Sequence, residues 1–225
     1  MALFSRRKKS APEEEPQETV ETSVEPVTTG PFDIADVDSV EGMHNFGVRN
    51  LPMEPGTRVQ FTINKRTRAA MGALVQMAGS TLSINGYAAP KSGGLWPDIR
   101  DELSETIVAG GGTANFREGP FGPEIEAMVP KKEVNEVRHV RYVGVDGPRW
   151  FLRAAIEGEA VSNADTRELV YAYLRKVVVD RGSDPYPVRD QLELTMPDTA
   201  KARVEEKLGK PAQRKARGPE LPELR

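Results

Sequence analysis

The feature that most limits the fold of this chain is the wide spacing of its two helical patterns. Apolar residues recur at Trp96, Ile99, Leu103 and Ile107, and a second stripe of the same kind covers 169–177. The long stretch between the two stripes carries strand patterns instead. Because parallel strands need a crossover helix for each pair, this spacing argues against repeated βαβ units. The sequence therefore predicts an α+β domain, a mainly antiparallel sheet with the two principal helices packed on one face.

The predicted strands are runs in which apolar and polar residues alternate. The clearest run is 59–63, and Gly79-Ser80 is typical of a hairpin turn between two further runs. Asp146-Gly147-Pro148 forms a tight turn between the two longest predicted strands, while Gly110-Gly111-Gly112 ends the first helix. The remaining predicted strands lie at 113–118, at 125–129, at 177–179, and at an edge strand built from positions 192, 194 and 196.

The two ends of the chain carry opposite charge. Residues 1–36 hold four basic and eight acidic side chains, whereas 199–225 hold eight basic and four acidic ones. Both ends are poor in apolar residues, so they cannot offset the entropy lost on folding. We therefore predict disordered tails at 1–39 and 199–225, with a short helix near 202–208, around a single domain at 40–198.

Several kinds of chemistry are excluded by composition. The chain has no cysteine, which rules out disulfides, thiolate metal sites and thiol nucleophiles and fits a reducing, cytoplasmic compartment. No apolar run is long enough to predict a membrane-spanning helix, and the basic start of the chain lacks the apolar segment of a secretory signal. A histidine metal cluster would need both His44 and His139, which we do not expect to meet. We assign no metal and no cofactor.

The sequence also lacks the usual patterns of a catalytic site. A serine nucleophile in a G-x-S-x-G or S-x-x-K context is missing. Glu124 and Glu126 are two positions apart on a predicted strand, which places both carboxylates on one exposed face, and His139 is predicted to lie on an exposed strand face as well. We assign no catalytic residue, and the sequence leans away from an enzyme without deciding the question.

Four turn-rich segments, at 92–96, 118–122, 146–153 and 181–190, combine glycine or proline with an aromatic residue or an arginine. Such residues are favoured at recognition surfaces, and guanidinium groups bind carboxylates and phosphates in a bidentate manner. The candidate binding residues are Trp96, Arg149, Trp150, Arg153, Arg181 and Arg189. In the alternative interpretation, the tryptophans anchor the core and the arginines pair with Asp146, Asp180, Asp184 and Asp190.

The same segments resemble an actinobacterial domain-of-unknown-function family, DUF3710. The matching stretches are 88–96, 118–122, 142–153 and 177–182, with Pro185, Pro187, Arg189 and Asp190 downstream. The Gly-Pro-Arg-Trp-Phe-Leu-Arg run makes the resemblance specific, and it covers about 50–198. It implies a bacterial cytoplasmic protein with no assigned activity. The order of elements also resembles small α+β folds of the Mog1/PsbP type, which serve mainly as binding platforms.

Three functions remain open at this stage. The first is a non-enzymatic interaction module that binds one or more protein partners. The second is a nucleic-acid-associated accessory protein that makes weak contacts through the basic C-terminal tail. The third is a small-anion or small-molecule binding protein, or an enzyme, that uses the arginine-rich turns. The sequence determines neither the partner nor the oligomeric state.

Overall fold

Two sheets organise the computed structural model, which describes residues 29–131 and 136–208. The strands in these ranges are β1 (Phe32–Asp33), β2 (Met43–Asn45), β3 (Arg49–Pro52), β4 (Arg58–Ile63), β5 (Ala70–Met77), β6 (Ser80–Ala88), β7 (Thr113–Gly119), β8 (Gly122–Pro130), β9 (Val137–Gly147), β10 (Trp150–Gly158) and β11 (Val178–Val179). The large sheet has the order β4-β5-β6-β10-β9-β8-β7 and is antiparallel throughout. The small sheet has the order β1-β11-β3-β2, and β1 and β11 are its parallel pair.

The helices within the described residues are α1 (Trp96–Ala109), α2 (Glu159–Ser162), α3 (Ala164–Arg175) and α4 (Asp198–Leu208). Pro97 lies in the first turn of α1, where its missing N–H has no helical partner to lose. The side chain of Asn163 caps α3 by accepting from the backbone N–H groups of Asp165 and Thr166. A mainly antiparallel sheet with two principal helices confirms the predicted α+β class.

The two principal helices lie on opposite faces of the large sheet, so the prediction that both pack on one face is wrong. Alternate residues of β10 show this arrangement. Trp150 and Leu152 belong to the core that includes α3 and the small sheet, whereas Phe151 belongs to a second core with α1. Each helix has an apolar stripe, but this pattern does not predict which side of the sheet the helix covers.

Each face of the large sheet is covered only in part. Helix α1 packs against β7, β8 and β9. Apart from Phe151 of β10, which stacks on Trp96, the side chains of β4, β5, β6 and β10 on the same side as α1 lie beyond this helix and are mostly half-buried or exposed. These side chains include Gln60, Thr62, Gln76, Thr81, Ser83, Asn85, Tyr87 and Arg153. We call this region the open sheet face.

The buried side chain of Arg49 joins the small sheet to the large sheet. Its guanidinium group donates to the backbone carbonyls of Ile84, at 2.9 Å, and Leu192, at 2.7 Å. Burial lowers the pKa of Arg49 to about 10, which still leaves the group charged at neutral pH. The charge of Arg49 is thus held by backbone dipoles.

Two predicted boundaries differ from the structure. Positions 192, 194 and 196 form no edge strand, because the segment crosses several strands. The N–H groups of Leu192 and Leu194 donate to Gly86 and Ala70, which lie on different strands. Part of the predicted N-terminal tail is also structured, since β1 pairs with β11, and the short helix predicted near 202–208 is α4, which begins earlier, at Asp198. Residues 1–28 and 209–225, the rest of the predicted tails, lie outside the described residues.

Close packing of a tryptophan on a glycine fixes α1 against the large sheet. A methyl group added to Gly144 would overlap the indole ring of Trp96. We therefore expect Gly144→Ala to lower the free energy of unfolding by about 2 kcal/mol or more, as overpacked cores do. Urea unfolding measures this change. Gly110→Ala is the control, because a methyl group at Gly110 would approach only the carbonyl oxygens of Thr106 and Ile107, at 3.3 and 3.4 Å, and its φ of -79° suits alanine. Equal stability of the two variants would contradict this packing.

Candidate binding surface

Asp146 holds the start of α1. Its two carboxylate oxygens accept from the backbone N–H groups of Leu95, at 2.9 Å, and Trp96, at 3.1 Å. The positive end of the helix dipole also favours a carboxylate in this position. Asp146 is therefore committed to the helix and does not pair with an arginine.

Both tryptophans are core anchors on opposite faces of the sheet. The indole N–H of Trp96 donates to the carbonyl of Pro123 at 2.6 Å, and the indole N–H of Trp150 donates to Asp33 at 2.7 Å. Trp150 packs so closely on Gly147 that a methyl group there would overlap its ring. Since both rings are buried, neither tryptophan offers a contact surface.

Arg149 occupies a backbone position that usually belongs to glycine. It follows Pro148 in the two-residue turn between β9 and β10 and has a φ of 64°. A type II turn places proline second and needs a positive φ at the third residue, where glycine or asparagine is favoured. Within the described ranges, the half-buried Arg149 side chain makes no hydrogen bond, ion pair or ring contact. The fold itself does not explain why an arginine stands here.

Arg153 lies at the exposed end of a row of aromatic rings. The rings of Trp96 and Phe151 are stacked with centroids 6.0 Å apart, and Phe151 stacks on Tyr87 at 6.0 Å. The guanidinium carbon of Arg153 then lies 5.4 Å from the centroid of the Tyr87 ring. This cation–π contact holds the guanidinium group on the open sheet face. Among the described residues, Arg153 forms no ion pair with a carboxylate.

Arg189 lies near the end of β6 and forms an ion pair with α1. Its guanidinium group contacts Glu102 at 2.8 Å and lies 3.9 Å from Asp98. Its backbone, with a φ of 71°, donates to the carbonyl of Ala88. The next residue along β6, Ala89, donates to the carbonyl of Arg149. Three segments distant in sequence therefore meet at the end of β6.

Arg181 makes its contacts away from the end of β6. It is buried and donates to the backbone carbonyls of Gly182 and Asp184, and it stacks on Tyr186 at 5.2 Å. Of the six predicted residues, the structure brings the backbones of Arg149 and Arg189 together at the end of β6, beside Tyr87, and places Arg153 over the Tyr87 ring. Trp96 lies at the buried end of the same row of rings. The structure leaves Trp150 and Arg181 elsewhere. We call Tyr87, Arg149, Arg153 and Arg189 the arginine surface.

In the described ranges, the arginines do not form the alternative ion pairs with nearby aspartates. Arg181 binds the carbonyl, rather than the carboxylate, of Asp184, and Arg189 binds acidic residues of α1. Glu102 and Tyr87 were missed by the sequence analysis. Glu102 is one of several exposed acids on α1, and only the packing of the 182–190 segment selects it. The alternation along β6 predicts which face of the sheet Tyr87 lies on, but it does not predict that Tyr87 stacks on Phe151.

A buried ionic network on the other face was also missed, and the prediction of an exposed Glu124 is wrong. Glu124 is 0% exposed because α3 covers its part of the sheet. It accepts from the hydroxyl of Tyr171 at 2.6 Å and from Arg141 at 3.1 Å. Burial raises the pKa of Glu124, and these two hydrogen bonds reduce the rise.

Glu126 and His139 extend this network toward solvent. Arg141 also contacts Glu126 at 3.2 Å, and the carboxylate of Glu126 lies 3.0 Å from His139 Nε2 and 3.1 Å from Arg117 Nε. Burial acts to raise the pKa of Glu126, but the hydrogen bonds from Arg117 and His139 outweigh it, so the pKa is lowered. His139 is therefore half-buried and paired. The network joins β7, β8, β9 and α3, and each of its charges faces an opposite charge.

Two depressions in the surface lie away from both clusters. One, of about 450 Å³, is open and lined by Arg58 and residues 76–81, and another, of about 280 Å³, lies between α4 and residues 67–70. Within 29–131 and 136–208, no three His, Asp or Glu side chains are placed to hold a metal ion. No helix in these ranges is both long enough and apolar enough to cross a membrane.

Comparisons with known proteins give one family and a distant structure. The family model described as "Protein of unknown function (DUF3710)" matches residues 30–203. No curated protein matches the chain. The solution structure of cyanobacterial PsbP (CyanoP) from Synechocystis sp. PCC 6803 is similar over 59% of this chain and 86% of that chain. Its sequence identity is 9% and its TM-score is 0.37.

The raised pKa of Glu124 predicts a pH-dependent loss of stability. Because the folded chain holds this proton more tightly than the unfolded chain, raising the pH above about 4.5 favours the unfolded state. The free energy of unfolding of the native chain should therefore fall relative to that of Glu124→Gln as the pH rises toward neutrality. Urea unfolding at several pH values measures the difference. Glu118→Gln, which removes an exposed carboxylate from the same hairpin, is the control. Parallel curves for the native chain and Glu124→Gln would refute the effect.

Proposed function

The chain belongs to the DUF3710 family, a family of unknown function, and we propose that it is a non-enzymatic binding module that holds an acidic segment of a partner protein on the arginine surface. The observation that carries this proposal is the backbone of Arg149. A non-glycine residue in the left-handed region costs stability, and such positions cluster at functional sites. The turn would form more easily with glycine. We therefore infer that the arginine is kept for what its side chain binds, despite its cost in stability.

Arg153 supports an acidic ligand in particular. A guanidinium group stacked on an aromatic ring keeps its N–H groups free at the edge, where they form paired hydrogen bonds to a carboxylate. The Tyr87 ring holds Arg153 in this way, and the stacked Phe151 and Trp96 rings fix Tyr87 in turn. Because the donor is already ordered, little side-chain entropy is lost on binding.

The open sheet face beside these arginines suits a protein segment better than a small molecule. Thr81, Ser83 and Asn85 follow one another along β6 as half-buried polar side chains. The two depressions described above do not reach the arginine surface, whereas small ligands are usually bound in concave pockets. A broad surface of this kind supports an extended partner segment.

The other hypotheses receive less support. Nucleic-acid contact was predicted for the basic C-terminal tail, of which 209–225 lies outside the described residues. Catalysis by Glu124 would need access to substrate, but its carboxylate is fully buried against Arg141 and Tyr171. We also propose a cytoplasmic location, which the lack of cysteine supports.

Peptide selection tests the proposed function. A random-sequence peptide library is panned on the full chain, and the selected peptides are measured by fluorescence anisotropy. We expect enrichment of Asp and Glu, and a loss of affinity of about 10-fold for Arg149→Ala and for Arg153→Ala. Binding should also weaken as salt is added, since the contacts are between exposed charges.

The matched control is Arg66→Ala, which removes an exposed arginine from the turn between β4 and β5 at the far edge of the large sheet. This variant should bind the selected peptides as the native chain does. Selected peptides without acidic residues, or equal losses for all three variants, would overturn the proposal.

A further inference from the structure

The two edge strands of the large sheet differ in how they are protected. An exposed strand edge presents unpaired N–H and C=O groups, and proteins usually block such an edge with a bulge, proline, lysine or a short strand. At β4 the register with β5 shifts between Thr62 and Ile63. Strand β4 therefore carries the irregularity of a β-bulge.

Strand β7 has no bulge, and its charged side chains are Arg117 and Glu118. It pairs with β8 in one unbroken register over its whole length, from Thr113 opposite Met128 to Gly119 opposite Gly122. The strand contains neither proline nor lysine. In the described ranges, no other strand pairs with its outer side. A long, regular and open edge of this kind is a template for another strand.

Exposed apolar side chains lie on both faces of this end of the sheet, Phe116 on the α1 side and Met128 and Val137 on the other. Phe116 at the middle of β7 is 52% exposed, and Met128 on β8 and Val137 on β9 are 42% and 60% exposed. The Phe116 ring is held beneath α1, with the guanidinium carbon of Arg100 4.7 Å from its centroid. An ordered apolar side chain at an open strand edge suits a protein contact better than solvent.

We propose that β7 pairs with β7 of a second copy of this chain, antiparallel and centred on Phe116, so that two large sheets join into one. The strand is self-complementary in this register. Phe116 stands beside the partner copy's Phe116, Asn115 is opposite Arg117, and Ala114 is opposite Glu118. No two like charges are directly opposite each other.

One of the two neighbouring registers of the same symmetry is less favourable. Centring the pair on Arg117 would place two arginines directly opposite each other, which is destabilising. A two-fold arrangement also closes on itself, because each β7 has one open edge and uses it once. Two-fold pairing through β7 therefore gives a closed dimer rather than an open fibre.

Sedimentation analysis of the full chain over a concentration series tests the association. The native chain should form a dimer, and Phe116→Lys should raise the dimer dissociation constant at least about 10-fold, because it places two cations together at the centre of the pair. Thr62→Lys, on the other edge strand, is the matched control and should dimerise normally. Circular dichroism shows whether both variants keep their fold.

Disulfide trapping tests the register, and the lack of cysteine in the chain keeps this experiment free of background. Directly opposite residues of paired strands come close enough for a disulfide. Phe116→Cys should therefore give a covalent dimer on mild oxidation, whereas Asn115→Cys and Thr62→Cys should give far less.

A native chain that stays monomeric at every concentration would overturn the proposal. So would equal trapping at positions 116 and 62, or a dimer that Phe116→Lys leaves unchanged. None of these outcomes depends on the arginine surface, so the proposed function and the proposed dimer can fail separately.

Discussion

A buried guanidinium group connects the parts of this fold. Arg49 extends from the small sheet and donates to a carbonyl of β6 in the large sheet and to another in the segment after the arginine surface. Burying a charge without an opposite charge is costly, and the lowered pKa of Arg49 reflects this cost. The carbonyl dipoles offset it only in this arrangement, so Arg49 favours one way of packing the two sheets. Through Leu192, Arg49 also positions the segment that carries Arg189.

The turn-rich segments serve two purposes that the structure separates. Gly144, Asp146 and Gly147 hold the frame, because the glycines make room for Trp96 and Trp150 and the aspartate caps α1. Arg149 and Arg153 make no ion pair with the described residues. The frame therefore accounts for the tryptophans and glycines, and these two arginines are the ones that we propose for an external partner. Arg189 serves both purposes, because it belongs to the arginine surface and its ion pair with Glu102 connects this surface to α1.

Strong local patterns made much of the fold predictable. The alternation at 59–63 and the two helical stripes lie where the sequence placed them, and the turn predicted at 146–148 lies at 148–149. Strands β1, β2 and β3 were missed because they have two to four residues, too few for an alternation, and because buried β3 contains Arg49 and Asn50. Glu124 was placed on the correct strand, but its burial depends on α3, which covers that half of the face. Helix stripes cannot indicate this, so the open sheet face and the arginine surface emerge only from the assembled structure.

The central claim is that Arg149 is kept for binding at a cost to the fold, and the free energy of unfolding of Arg149→Gly tests it most directly. Glycine suits a φ of 64°, so this variant should be as stable as the native chain or more stable, by up to about 1 kcal/mol. Arg149→Ala keeps the strained backbone and serves as the comparison, and it should be less stable than Arg149→Gly. If Arg149→Gly unfolds more easily than the native chain by more than about 1 kcal/mol, the arginine supports the fold and the claim is wrong.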